Sequence, residues 1–212
     1  MEITTAQIDD IATAAATMRE QAERLERLLE TLRGEGPSPE MTLYSQRDPR
    51  WKDEFYAGGL TFGQAGCYVC CVALIASLAG YDYGPPTMAE ILREAECFAG
   101  GQLLWPERVT ALLLYLRWDG RADWRDVPAD LERLARELEQ GPVIIETEFR
   151  PGGDMPPQDQ HFVVAEEFTA SGDDLLIADP WDGTYTRLLE RYALNHWDVA
   201  RAVYGMRLLR VA

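Results

Sequence analysis

The sequence predicts an α+β domain, N-terminal helices packed on an antiparallel sheet, preceded by a long amphipathic helix. Three observations predict it. Apolar residues recur at heptad spacing through residues 3–33. Stretches with helical patterning and helix-start signals follow, from Cys67 to about residue 140. Short β-rich runs separated by Gly, Asp and Ser turns then fill the remainder. The chain has 212 residues, 47% of them apolar and 26% charged, which suits one globular domain with an appendage.

In chain order, the first element is the heptad helix, residues 1–33. Ile8, Ala15, Ala22 and Leu29 are spaced by seven, and Ile11, Met18, Leu25 and Leu32 follow the same period three residues on. This a/d stripe predicts self-association or docking onto a partner helix, competing with packing back on the same chain. Alanine at two positions lets helices approach closely but buries little area. Gly34, Gly36, Pro37 and Pro39 mark residues 34–41 as a linker, leaving 42–212 as the second domain. Helices are expected at 67–79, 87–96, 105–116 and 127–140. Strands are expected at 142–147, 162–165, 175–178, 185–188 and near 203–211. Gly152-Gly153, Ser171-Gly172-Asp173 and Asp182-Gly183 supply turns between them. No internal repeat is evident.

Net charge is −16, which argues against nucleic acid and anionic membranes as partners, since both need basic patches. No run is apolar enough to span a bilayer, and the N-terminus lacks the basic start and apolar stretch of a signal peptide. The expected location is cytoplasmic or virion-associated. Four cysteines, Cys67, Cys70, Cys71 and Cys97, suggest no disulfide framework. The Cys67–Cys70 spacing raises zinc and redox readings, but there is no second C-x-x-C or paired His motif, and no metal or cofactor is expected. Cys70, Cys71 and Cys97 read as small buried hydrophobes.

Cys67 is different. It follows Phe62-Gly63-Gln64-Ala65-Gly66 and opens the apolar run Tyr68-Val69-Cys70-Cys71-Val72-Ala73-Leu74-Ile75. A glycine turn feeding a buried helix puts the sulfur beside unpaired backbone N–H groups and positive partial charge, an environment that favours a nucleophilic thiolate. Such a nucleophile needs a base, and a third group to orient that base. The chain has two histidines. His161 opens a strand-like run beside a Pro/Gly-rich loop, whereas His196 lies in Leu194-Asn195-His196-Trp197-Asp198 without a turn–strand context. Asp179 ends the next short strand. A hairpin joining these strands brings the His161 and Asp179 side chains to one end of the sheet.

Taken together, Tyr44-Ser45-Gln46-Arg47-Asp48-Pro49-Arg50-Trp51, Gly58-Gly59, Thr61 to Cys67, Leu104-Trp105-Pro106, His161-Phe162-Val163-Val164 and Asp179-Pro180-Trp181 resemble the C39-like group of papain-fold cysteine peptidases, found in bacterial and phage proteins. The likeness spans about residues 42–190 and leaves out the heptads. It implies a papain-like fold, Cys67 as nucleophile, His161 as base then acid, and Asp179 as the group orienting His161. The oxyanion glutamine of the papain pattern lies six residues before the cysteine, where this chain has Thr61. Gln46 is the favoured substitute, ahead of Gln64, and its competing role is to tie down the domain entry. The expected function is cleavage of peptide bonds in a polypeptide or a cell-wall peptide. The alternative is an assembly module that oligomerises through its N-terminal helix.

Overall fold

A six-stranded antiparallel sheet organises the domain, in the order β5-β10-β6-β7-β8-β9. The computed structural model describes residues 41–100, 102–148, 160–192 and 198–212, all within one unit, Met41–Ala212. The heptad helix, linker residues 34–40 and His196 lie outside the described residues. The sheet strands are β5 (Leu116–Asp123), β6 (Val143–Glu148), β7 (Gln160–Phe168), β8 (Leu175–Asp179), β9 (Thr184–Arg187) and β10 (Val203–Val211). Two small hairpins, β1–β2 (Phe55–Ala57 with Leu60–Thr61) and β3–β4 (Phe98–Ala99 with Gln102–Leu103), lie outside it.

Period-two alternation gives each strand one side chain for each face. Ile144, Val164, Ala178 and Leu209 face one core. Val143, Ile145, Val163, Ala165, Ile177 and Met206 face the other. The first core holds α2 (Cys67–Leu78) and α3 (Pro85–Glu94), which follow the short α1 (Phe62–Ala65). α2 is apolar on every side and buried from Cys67 to Ser77, the behaviour of a central core helix. α3 starts at Pro85, where the missing N–H costs nothing, and buries Met88, Ala89 and Leu92 along one stripe. The second core is covered by α4 (Leu131–Leu138), α5 (Leu188–Arg191) and α6 (Val199–Ala202). Asp130 caps α4 by accepting a hydrogen bond from the Arg133 backbone N–H at 2.9 Å.

Two expectations are corrected. Residues 105–116 do not form an α-helix: only a short 3₁₀ segment, Pro106–Ala111, forms there, and the chain then turns into β5. The order of helices first and sheet second therefore also fails, because β5 precedes α4. β5 alternates Leu116, Trp118, Gly120 and Ala122 with Arg117, Asp119, Arg121 and Asp123. It pairs with β10 as an edge strand, and the charged row keeps that edge from recruiting another strand.

Candidate active site

α2 begins at Cys67 because the preceding turn is built to allow it. Gly66 approaches Phe62 so closely that a Cβ would lie 2.7 Å from the Phe62 carbonyl oxygen. The Tyr56 hydroxyl donates to the Ala65 carbonyl at 2.8 Å and the Gly63 N–H to the Lys52 carbonyl at 2.8 Å, fixing the turn from two sides. Tyr68, next to Cys67, stacks on Phe162, next to His161, with ring centroids 4.2 Å apart and planes within 13°. This stack holds the start of the helix against the start of β7, and so sets the distance between thiol and imidazole.

β7 and β8 are antiparallel neighbours, with Val164 opposite Ala178, so the first residues of β7 and the last of β8 share one end of the sheet. The structure brings Cys67, His161 and Asp179 together there. His161 is buried; its Nε2–H donates to Asp179 Oδ1 at 2.9 Å, and the Cys67 thiol stands beside its ring. With Nε2 held by the carboxylate, the nitrogen left for the thiol is Nδ1. Burial favours the neutral ring, but the hydrogen bonds to Asp179 and Cys67 outweigh it and raise the His161 pKa to about 9.

Asp179 is almost wholly buried and is satisfied on both oxygens. Oδ1 also accepts from the Trp181 backbone N–H at 2.9 Å. Oδ2 accepts from the Tyr192 hydroxyl at 2.7 Å and from Arg191 Nε at 3.0 Å. Burial opposes the charged carboxylate, yet the bond to His161 and the other donors hold its pKa down to about 2. The Trp181 and Tyr192 rings meet His161 edge-on, at 6.4 and 5.8 Å between centroids. Arg191, Tyr192 and the Tyr68–Phe162 stack have no counterpart in the sequence reading. Aromatic neighbours of both Cys67 and His161 were the available signal for the stack.

The entry segment locks onto the turn after Asp179. The Gln46 N–H donates to the Pro180 carbonyl at 2.6 Å and the Ser45 hydroxyl to the Trp181 carbonyl at 3.2 Å. Gly183 is at φ +72°, and a Cβ there would lie 3.2 Å from the Ser45 nitrogen, so a side chain would be strained and crowded. Gln46 is thereby buried beside the site, its Nε2 donating to the Gly63 carbonyl at 3.3 Å, with a second N–H to spare among the described residues. Its Oε1 is buried without a partner among the described residues. Gln64 is exposed, and its Oε1 accepts from the Thr61 N–H at 3.1 Å. Both glutamines line a cleft of about 730 Å³ together with Cys67 and His161.

The other cysteines are chemically quieter. Cys67 is 8% exposed; Cys70, Cys71 and Cys97 are fully buried, and all four are unbridged. Burial pushes the Cys70 and Cys71 thiols well above the usual range and Cys97 up to about 11. Among the described residues no cluster of His, Cys, Asp and Glu is arranged to hold a metal ion, and no helix is long and apolar enough to cross a membrane. Compared with known proteins, the chain matches no protein-family model and no curated sequence.

Proposed function

We propose that this chain is a cysteine peptidase or peptide-bond amidase with a papain-like fold of the C39-like kind. The observation that carries the proposal is the buried His161–Asp179 hydrogen bond with Cys67 beside the imidazole, on a cleft that Cys67 and His161 line. The Cys67 sulfur attacks the scissile carbonyl carbon while its proton resides on His161 Nδ1. Asp179 accepts from Nε2 throughout, which fixes the tautomer and stabilises the imidazolium. The free N–H of Gln46 Nε2 and the Cys67 backbone N–H are the candidate donors to the oxyanion. Collapse of the tetrahedral intermediate breaks the C–N bond, and His161 passes its proton to the departing amine. Water, deprotonated by the same ring, then hydrolyses the thioester and restores the thiol.

The substrate is a polypeptide or a cell-wall peptide. Incubating the full chain with a peptide library, and reading products by mass, tests this. Cleavage should occur with the natural chain and vanish in Cys67→Ala, while cleavage that survives in Cys67→Ala would refute it. The heptads of residues 3–33 support an accompanying role in assembly, self-association or docking to a partner helix, in the cytoplasm or a virion. Light scattering on the full chain and on a chain starting at Met41 tests that part. A monomer in both cases would rule out self-association.

A further inference from the structure

We propose that the cleft selects substrates bearing a carboxylate beside the scissile amide, and that Arg125, with Arg121 on the same cleft, reads that carboxylate. The inference rests on the hydrolase reading above. Its starting point is Glu146 of β6, a carboxylate with no solvent exposure. Glu146 Oε1 accepts from Arg125 Nη2 at 2.7 Å and from Gln160 Nε2 at 2.6 Å, and Oε2 accepts from Arg207 Nη2 at 3.1 Å.

A buried carboxylate needs one cation and enough donors to satisfy its oxygens. Arg207, itself buried, supplies that cation and also donates to the Ala122 and Met206 carbonyls. Arg125 is a second cation on the same acid, and Glu146 does not need its charge. Its side chain is 39% exposed and lines the cleft. Glu146 is its one acceptor among the described residues, and most of its N–H fork is unused, including a buried Nε without a partner. A guanidinium pinned at one corner, with N–H groups of its exposed terminal nitrogens to spare, is suited to a second carboxylate, because Arg binds such groups through paired N–H···O contacts.

The neighbouring charges fit the same reading. Asp123 is held by Arg207 at 3.0 Å, and Arg121, 61% exposed in its side chain, approaches it only at 3.6 Å. Glu107, the other acid of the lining, stands on the Pro106–Ala111 segment, outside this cluster. Gln160 precedes His161 in the chain, and its amide shares Glu146 Oε1 with Arg125. Arg125 and His161 also line the same cleft. That location suits a carboxylate on a residue flanking the bond to be cut, either an acidic side chain or a chain-end α-carboxylate.

The test measures labelling of Cys67 in the full chain by two pairs of peptidyl electrophiles. One pair differs as Glu against Gln, the other as a chain-end carboxylate against its carboxamide. A charge-assisted hydrogen bond predicts about tenfold faster labelling by the acid member of one pair, and that pair names the source. Arg125→Gln should bring the ratio near one, and Arg121→Gln should lower it partway. Arg125→Lys guards against misfolding, since it keeps the charge and should retain part of the preference. Equal rates within both pairs, with Cys67 labelled normally, would overturn the inference and leave the hydrolase reading standing. Labelling by a small alkylating agent but by none of the peptidyl probes would overturn both.

Discussion

Asp179 and Glu146 are both buried carboxylates on the same sheet, and their partners differ in kind. Asp179 holds a titratable ring, His161, and is braced by Trp181, Tyr192 and Arg191. Glu146 holds two permanent cations and an amide, Arg125, Arg207 and Gln160. A carboxylate paired with imidazole controls where a proton sits, whereas one paired with guanidinium groups controls where fixed positive charge sits. The first arrangement suits reaction chemistry and the second suits recognition. The two meet at the chain-adjacent residues Gln160 and His161.

Asp179→Asn gives the largest expected contrast. It keeps the shape but removes the charge that holds the imidazolium, so peptide hydrolysis should fall by at least about a hundredfold. Stability should also fall by about 2 kcal/mol, because Arg191 and Tyr192 lose their charged acceptor. Steady-state kinetics and thermal unfolding read the two effects separately. Glu146→Gln should show the reverse balance. Removing the acid leaves Arg125 without a carboxylate and Arg207 with Asp123 as its remaining acid partner, costing about 3 kcal/mol in denaturant unfolding. Turnover of a neutral peptide by the folded fraction should change by less than about tenfold. A hundredfold loss there would erase the distinction between the two carboxylates.

The contrast was only half legible in the sequence. His161 and Asp179 could be paired because a short hairpin joins their strands, so local chain order already fixes proximity. Cys67 was legible because a glycine turn and an all-apolar helix leave a clear local pattern. Gln46 depended on its motif, since nothing in the spacing from Gln46 to Cys67 says that the entry segment docks on Pro180 and Trp181. Arg191 and Tyr192 were not legible: a short helix folds back to carry them to Asp179, and no spacing rule encodes that return. The Glu146 cluster joins residues from β6, β7, β10 and the segment after β5, contacts that only the assembled sheet creates. β5 itself was obscured by its charges and Gly120, although its alternation has the period of a half-buried strand.

A smaller effect sharpens the role of the brace. His161 faces Cys67 and Asp179 directly and the Tyr192 ring edge-on, while Arg191 and Asp182 lie behind Asp179. Arg191 competes with the imidazolium for the Asp179 carboxylate. Arg191→Met should therefore raise the pH of the alkaline activity limb by about half to one unit, as expected for loss of one nearby charge. In the natural chain that limb should fall near the His161 pKa of about 9. A drop in activity without a shift would mean that Arg191 serves only the fold.

The same pKa shifts carry a signature in stability. The His161 pKa lies above its ordinary value of 6.5, so its contribution is complete below pH 6.5 and is lost as pH rises through about 9. The Asp179 pKa lies below 3.8, so its contribution is present above that pH and is lost as pH falls through about 2. Unfolding free energy should therefore decline on both sides, and the alkaline decline should flatten in His161→Gln.

The most direct test of the central claim is site-resolved alkylation of the folded chain at neutral pH, with each cysteine followed by mass spectrometry. Cys67 sits at the cleft in contact with His161, whereas Cys70, Cys71 and Cys97 are sealed in the core. Cys67 should be modified at least about a hundredfold faster than the other three, and His161→Gln should remove most of that advantage. Equal modification of all four cysteines, or a Cys67 rate indifferent to His161→Gln, would contradict the assignment of a thiol–imidazole–carboxylate site.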